Sequence, residues 1–100
     1  MSEVTEEAVR EALNLIEDPE LMMGIVDLGL VYEVRIDGSA VKVVFTLTSM
    51  GCPVGPWIAE QVDITTRGIA GVESVETELV FSPAWSPDLM TEDAKFALGF

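Results

Sequence analysis

Histidine is absent from this 100-residue chain, and cysteine occurs once, at Cys52. Without imidazole, a cysteine or serine triad lacks its base. Metal ligation or proton transfer must then come from thiolate, carboxylate, hydroxyl and backbone groups. A single thiol forbids an internal disulfide, which removes the usual mark of a secreted small domain. Basic residues are scarce as well: five Lys and Arg stand against 18 Asp and Glu, a formal net charge of −13. Such a surface repels phosphate backbones, so nucleic acid is not an expected partner. The acidic skin suits solubility first, and otherwise a salty or hot habitat or a basic partner protein. No apolar run approaches the roughly 20 residues that span a bilayer. The start, Met1-Ser2-Glu3-Val4-Thr5-Glu6-Glu7, lacks the basic and apolar regions of a signal peptide. Walker-type and dinucleotide glycine motifs are missing too. The expectation is a cytoplasmic protein with no membrane partner.

Apolar residues make up 49% of the chain, enough to fold without staples. The chain reads as one domain over residues 1–100, without repeats or linkers. Thr5 reads as an N-cap with Glu6 and Glu7 in the favourable first turn, and Val4 and Val9 as a staple across it. Val9, Ala12, Leu13 and Ile16 follow helical spacing up to Pro19. Leu30 to Ile36 predicts a strand, with Tyr32, Val34 and Ile36 on one face. Asp37-Gly38-Ser39 is a hairpin turn. In the return strand Val41, Val43, Phe45 and Leu47 alternate with Lys42, Val44, Thr46 and Thr48. A second helix should begin between Pro53 and Pro56, bury Ile58, Val62, Thr65 and Ile69, and stop at Gly71. Val75, Thr77, Leu79 and Phe81 predict a third strand parallel to the second. A short helix reaching Leu98 follows. The fold class is α+β, an α/β sandwich: a small mixed three-stranded sheet with helices on one face, in the order α-β-β-α-β-α.

Cys52 lies in Gly51-Cys52-Pro53-Val54-Gly55-Pro56, between an apolar strand and a helix start. Unpaired N–H groups and the helix dipole at such a junction favour thiolate, which attacks electrophiles and binds soft metals. A small buried cysteine is the alternative, but a packing cysteine needs no such glycine–proline turn. Asp27 sits between apolar Val26 and Leu28 in a loop leading into a strand. An acid there either bonds backbone N–H groups, as in an Asx-turn, or is kept for a site. Asp18 precedes Pro19 and reads as a turn opener. Glu20 has no evident structural task beyond solvation. Thr48 and Ser49 either cap the second helix or hydrogen-bond a ligand, capping being the simpler role. Trp57 and Trp85 either line a partner surface or, for Trp85 between Pro83 and Pro87, fold back over the core. One thiol cannot complete a permanent metal or cluster shell, which normally takes four ligands. Two chains would supply two thiols, an arrangement suited to transfer.

Several separated segments resemble one family. They are Asp18-Pro19-Glu20-Leu21, Ile25-Val26-Asp27-Leu28-Gly29-Leu30-Val31-Tyr32, Thr46-Leu47-Thr48 with Gly51-Cys52-Pro53, Gly71-Val72, Pro83-Ala84-Trp85-Ser86-Pro87-Asp88-Leu89-Met90 and Leu98-Gly99-Phe100. In this order they are similar to the metal–sulfur cluster biosynthesis family of small proteins, which includes PaaD-like and SufT-like members. The resemblance implies the iron–sulfur cluster assembly fold, with the family's cysteine on Cys52, its acids on Glu20 and Asp27, its hydroxyl on Thr48 and its tryptophan on Trp85. Ala84 departs mildly from a position that is often proline. The cysteine-rich tail of PaaD proper is missing after Phe100, which favours a stand-alone accessory.

The expectation is therefore an accessory or carrier in iron–sulfur cluster assembly, not an enzyme. Cys52 would ligate iron or a labile cluster transiently, Asp27 and Glu20 would supply oxygen contacts, and Thr48, Ser49 and Gly51 would support them. The expected partners are iron–sulfur assembly proteins and client apo-proteins, with a homodimer as one way to share the site. One rival is a metal-free adaptor that joins an assembly complex to clients, oxygenase subunits included, and binds partners through Trp85. The other is a cysteine-dependent enzyme, disfavoured because no group forms an evident oxyanion hole.

Overall fold

Thr5 caps the first helix as its position predicts: its Oγ1 accepts a hydrogen bond from the Ala8 N–H at 3.1 Å. The computed structural model describes residues 4–19, 21–48 and 55–99. This helix, α1, runs Glu6–Leu13 and buries Val9 and Leu13. It is shorter than the apolar spacing suggested. Asn14 is its C-cap, and the Leu15 and Ile16 N–H groups reach back to the Ala12 and Leu13 carbonyls in a tightening last turn. Ile16 is still buried, but beyond the helix. A hairpin follows that the sequence did not announce, pairing β1 (Glu17–Asp18) with β2 (Met23–Gly24).

The main sheet has strand order β3-β4-β5, from Val31–Asp37, Ala40–Phe45 and Ser74–Leu79. The first pair is antiparallel and the second parallel, as expected. Gly38, at φ 63, makes the tight turn that sets Asp37 opposite Ala40. Val34, Val41, Val43 and Phe45 point into a core shared with Val9, Leu13, Ile58 and Val62. A bulge between Val31 and Glu33 shifts the alternation, so Val31 is buried. Tyr32 instead gives its hydroxyl to the Pro83 carbonyl at 2.8 Å.

The crossover helix α2 runs Gly55–Arg67, and α1 and α2 pack against each other and onto the sheet. Its buried stripe is Ile58, Val62 and Thr66, not Thr65. Neighbouring threonines let either one serve, and Thr66 can bury because its hydroxyl donates to the Val62 carbonyl at 2.7 Å. The helix ends at Arg67, with the Gly68 N–H closing on the Ile64 and Thr65 carbonyls, so Gly71 lies past the stop. The open face of the sheet carries ion pairs: Lys42 lies between Glu78 (3.0 Å) and Glu76 (3.5 Å). Its hydrogen bond to Glu78, then the charges of both acids, push its pKa upward. After β5 the chain forms a 3-10 helix, Pro87–Leu89, and α3, Glu92–Leu98, capped by Thr91. No helix among the described residues is long and apolar enough to cross a membrane.

Candidate functional site

Asp27 is held from three sides. Asn14, at the end of α1, donates from Nδ2 to Asp27 Oδ2 at 3.1 Å and accepts the Asp27 N–H on Oδ1 at 3.0 Å. Only an amide facing this way satisfies both bonds. Gly24 lets Asn14 come this close: a Cβ there would collide with the Asn14 carbonyl and side chain. The loop then turns through Leu28 N–H to the Gly24 carbonyl and Gly29 N–H to the Val26 carbonyl, burying Ile25, Leu28 and Leu30. The C-terminal segment closes over it. Trp85 Nε1 donates to the Leu28 carbonyl at 2.6 Å, and the Thr91 N–H donates to the Asp27 carbonyl at 2.9 Å. Gly29, at φ 78, packs against the Leu89 backbone, with the Leu89 carbonyl carbon 2.7 Å from where a Cβ would stand.

Asp27 is half-buried and its Oδ2 is engaged by Asn14. Trp85 is folded back over the core, one of the two roles open for it, with its one polar handle spent on Leu28.

The Asp27 loop is joined directly to the stem of the cysteine segment. The Thr46 N–H donates to the Leu30 carbonyl at 2.8 Å, tying the exit of β4 to the exit of the loop. Leu47 is buried, and its Cδ1 lies 2.7 Å from a Cβ built on Gly55. The two ends of the stretch between Leu47 and Gly55 are thereby in contact. Thr48 is half-buried at the upstream end. The residues between Thr48 and the first described residue of α2, Gly55, lie outside the described residues, and with them the cap position that Thr48 and Ser49 were expected to fill. Cys52, Ser49, Gly51 and Glu20 lie outside the described residues. Among the described residues no three Cys, Asp or Glu side chains converge on one point.

Three features escaped the sequence reading. Thr46, expected on the outward face, is fully buried, and its Oγ1 has no hydrogen-bond partner among the described residues. Asp18 is buried too; its carbonyl accepts the Met22 N–H, as a turn opener's would. Asn14 was hidden inside an apparent helical repeat. Its one sequence signal is that asparagine is a poor helix interior and a good terminus.

The chain matches the model of an iron–sulfur cluster assembly protein family over residues 6–77. It is 48% identical over 86 residues to SufT, an Fe-S protein maturation auxiliary factor of Staphylococcus aureus, covering 85% of this chain and 98% of that protein. It is 41% identical over 100 residues to YitW, an auxiliary factor of the same description in Bacillus subtilis, covering 99% and 98%. A crystal structure of a domain of unknown function from Bacillus anthracis superposes with a TM-score of 0.90 at 36% identity, covering 95% of this chain and 92% of that one. The matched family span contains Asp27 and Cys52 and ends before Trp85.

Proposed function

The chain belongs to the iron–sulfur cluster assembly protein family, and on that premise we propose that it is a cytoplasmic, non-enzymatic accessory of iron–sulfur protein maturation that carries its cargo transiently. Relatives of nearly equal length are named maturation auxiliary factors, which supports this reading. The observation that carries it is the junction between the two candidate segments: the Thr46–Leu30 hydrogen bond ties the stem of the Cys52 segment to the exit of the Asp27 loop.

In this reading the Cys52 thiolate holds iron or a cluster edge, and Asp27 supplies an oxygen contact whose direction Asn14 sets. Glu20 provides a second carboxylate, and Thr48, Ser49 and Gly51 provide hydroxyls and an uncrowded approach. One thiol per chain leaves the cargo incompletely ligated, so it passes readily to an assembly protein or a client apo-protein. A homodimer would add a second thiol.

The metal-free adaptor has one observation in its favour: Phe96 is 90% exposed and Leu89 43% exposed on the C-terminal segment, apolar surface that a client could cover. The two readings separate in a host strain lacking its own homologue, by assaying an iron–sulfur hydro-lyase under iron limitation. Wild type is expected to restore the activity, and Cys52→Ser at equal protein level is not. Full restoration by Cys52→Ser, with failure of Phe96→Ala, would replace the carrier by the adaptor.

A further inference from the structure

We propose that the groove between α1 and the Asp27 loop docks a basic, partly apolar segment of a partner protein. The groove has a volume of about 420 Å3 and is lined by Glu6, Glu7, Arg10, Glu11, Asn14 and Val26. Its charge is uncompensated for a reason visible across the whole chain. All five cations are already engaged: Arg10 with Glu6, Arg35 with Glu33, Lys42 with Glu76 and Glu78, Arg67 with Asp63, and Lys95 with Glu92. Among the described residues no Lys or Arg is left for Glu7 and Glu11, which are both exposed.

Glu11 works against the helix that carries it, whereas Glu7 sits in the favourable first turn. The two are four residues apart, a spacing at which like charges repel across one turn. Glu11 also lies near the C-terminal end of α1, where the helix dipole disfavours an acid. Local stability thus gives a reason for Glu7 but none for Glu11, whose two penalties a positive segment laid along the groove would relieve. Val26 is half-buried and apolar, so the occupant needs an aliphatic group as well as Lys or Arg. Asn14 is the inner wall, and its amide holds Asp27. A partner seated here would therefore lie beside the candidate site. The inference stands whether or not Cys52 ligates iron.

The probe is a fluorescein-labelled synthetic peptide of alternating lysine and leucine, titrated against the full chain by anisotropy and by amide chemical shifts. Glu7→Gln with Glu11→Gln should weaken binding about tenfold, by loss of two charges at a contact. A control removing the same net charge elsewhere, Glu73→Gln with Asp88→Asn, should change it less than twofold. Shifts should centre on Asn14 and Val26. Equal weakening in both double variants, shifts centred elsewhere, no binding to wild type, or the same shifts with ferrous or magnesium ions alone would each overturn the proposal. So would self-association that the groove variants abolish, which would assign the groove to a second copy.

Discussion

Gly29→Ala will lower the melting temperature by roughly 15 °C or more, about 3 kcal/mol for a domain of this length. Two separate penalties combine there. At φ 78 any side chain is strained, and a Cβ would drive into the Leu89 backbone, which cannot swing aside like a side-chain end. Gly38→Ala isolates the first penalty, because Gly38 has φ 63 and nothing within 4 Å of a Cβ. It should cost only about 1–2 kcal/mol. The difference between the two variants measures how firmly the C-terminal segment seats on the Asp27 loop. Equal losses in thermal denaturation would mean that Leu89 is not packed there. Local hydrogen exchange gives a second readout: in Gly29→Ala the Thr91 amide, which bonds the Asp27 carbonyl, should lose protection.

Asn14→Ala is expected to cost about 2–4 kcal/mol, far more than a typical substitution at a helix end. It removes two hydrogen bonds at once, one of them to a carboxylate, and leaves the Asp27 N–H and Oδ2 half-buried without that partner. Asn14→Asp restores an acceptor for the Asp27 N–H but sets a second negative charge against Asp27 Oδ2. At neutral pH it should be no better than Asn14→Ala. Chemical denaturation of the three proteins tests this, and a loss under 0.5 kcal/mol in Asn14→Ala would show that the clasp is not maintained in solution. The same variant should impair client maturation beyond its effect on stability, because Asn14 fixes the direction of the Asp27 carboxylate.

The parts of the fold that could be read from the sequence are those fixed by local chemistry. A threonine before two glutamates reports a helix start, Asp37-Gly38-Ser39 a hairpin turn, and strict alternation from Val41 to Leu47 a half-buried strand. The parallel third strand followed from the helix between it and the second. What escaped was set by tertiary contacts. Strands of two residues, as in β1 and β2, have no period to detect. Thr46 alternates outward by count yet is fully buried, because burial depends on what covers a position. Thr65 and Thr66 are chemically identical, so the stripe could not be resolved between them.

The candidate site divides the same way. Asp27 stood out as an acid between apolar neighbours. Its partner Asn14 lies 13 residues away in the chain, inside an apparent helical repeat, so the clasp could not be seen. The prolines flanking Trp85 leave a partner surface and a fold back over the core both open, and its acceptor, the Leu28 carbonyl, is a backbone atom that no sequence pattern marks.

The account rests on Cys52 as the ligand of transient cargo, and one comparison tests that most directly. Wild type and Cys52→Ser are incubated anaerobically with ferrous iron and sulfide, desalted, and assayed for iron, sulfide and visible absorption per chain. Wild type should retain all three signals, and Cys52→Ser should retain none while keeping the wild-type circular dichroism and melting temperature. Equal retention by a folded Cys52→Ser would contradict the central claim.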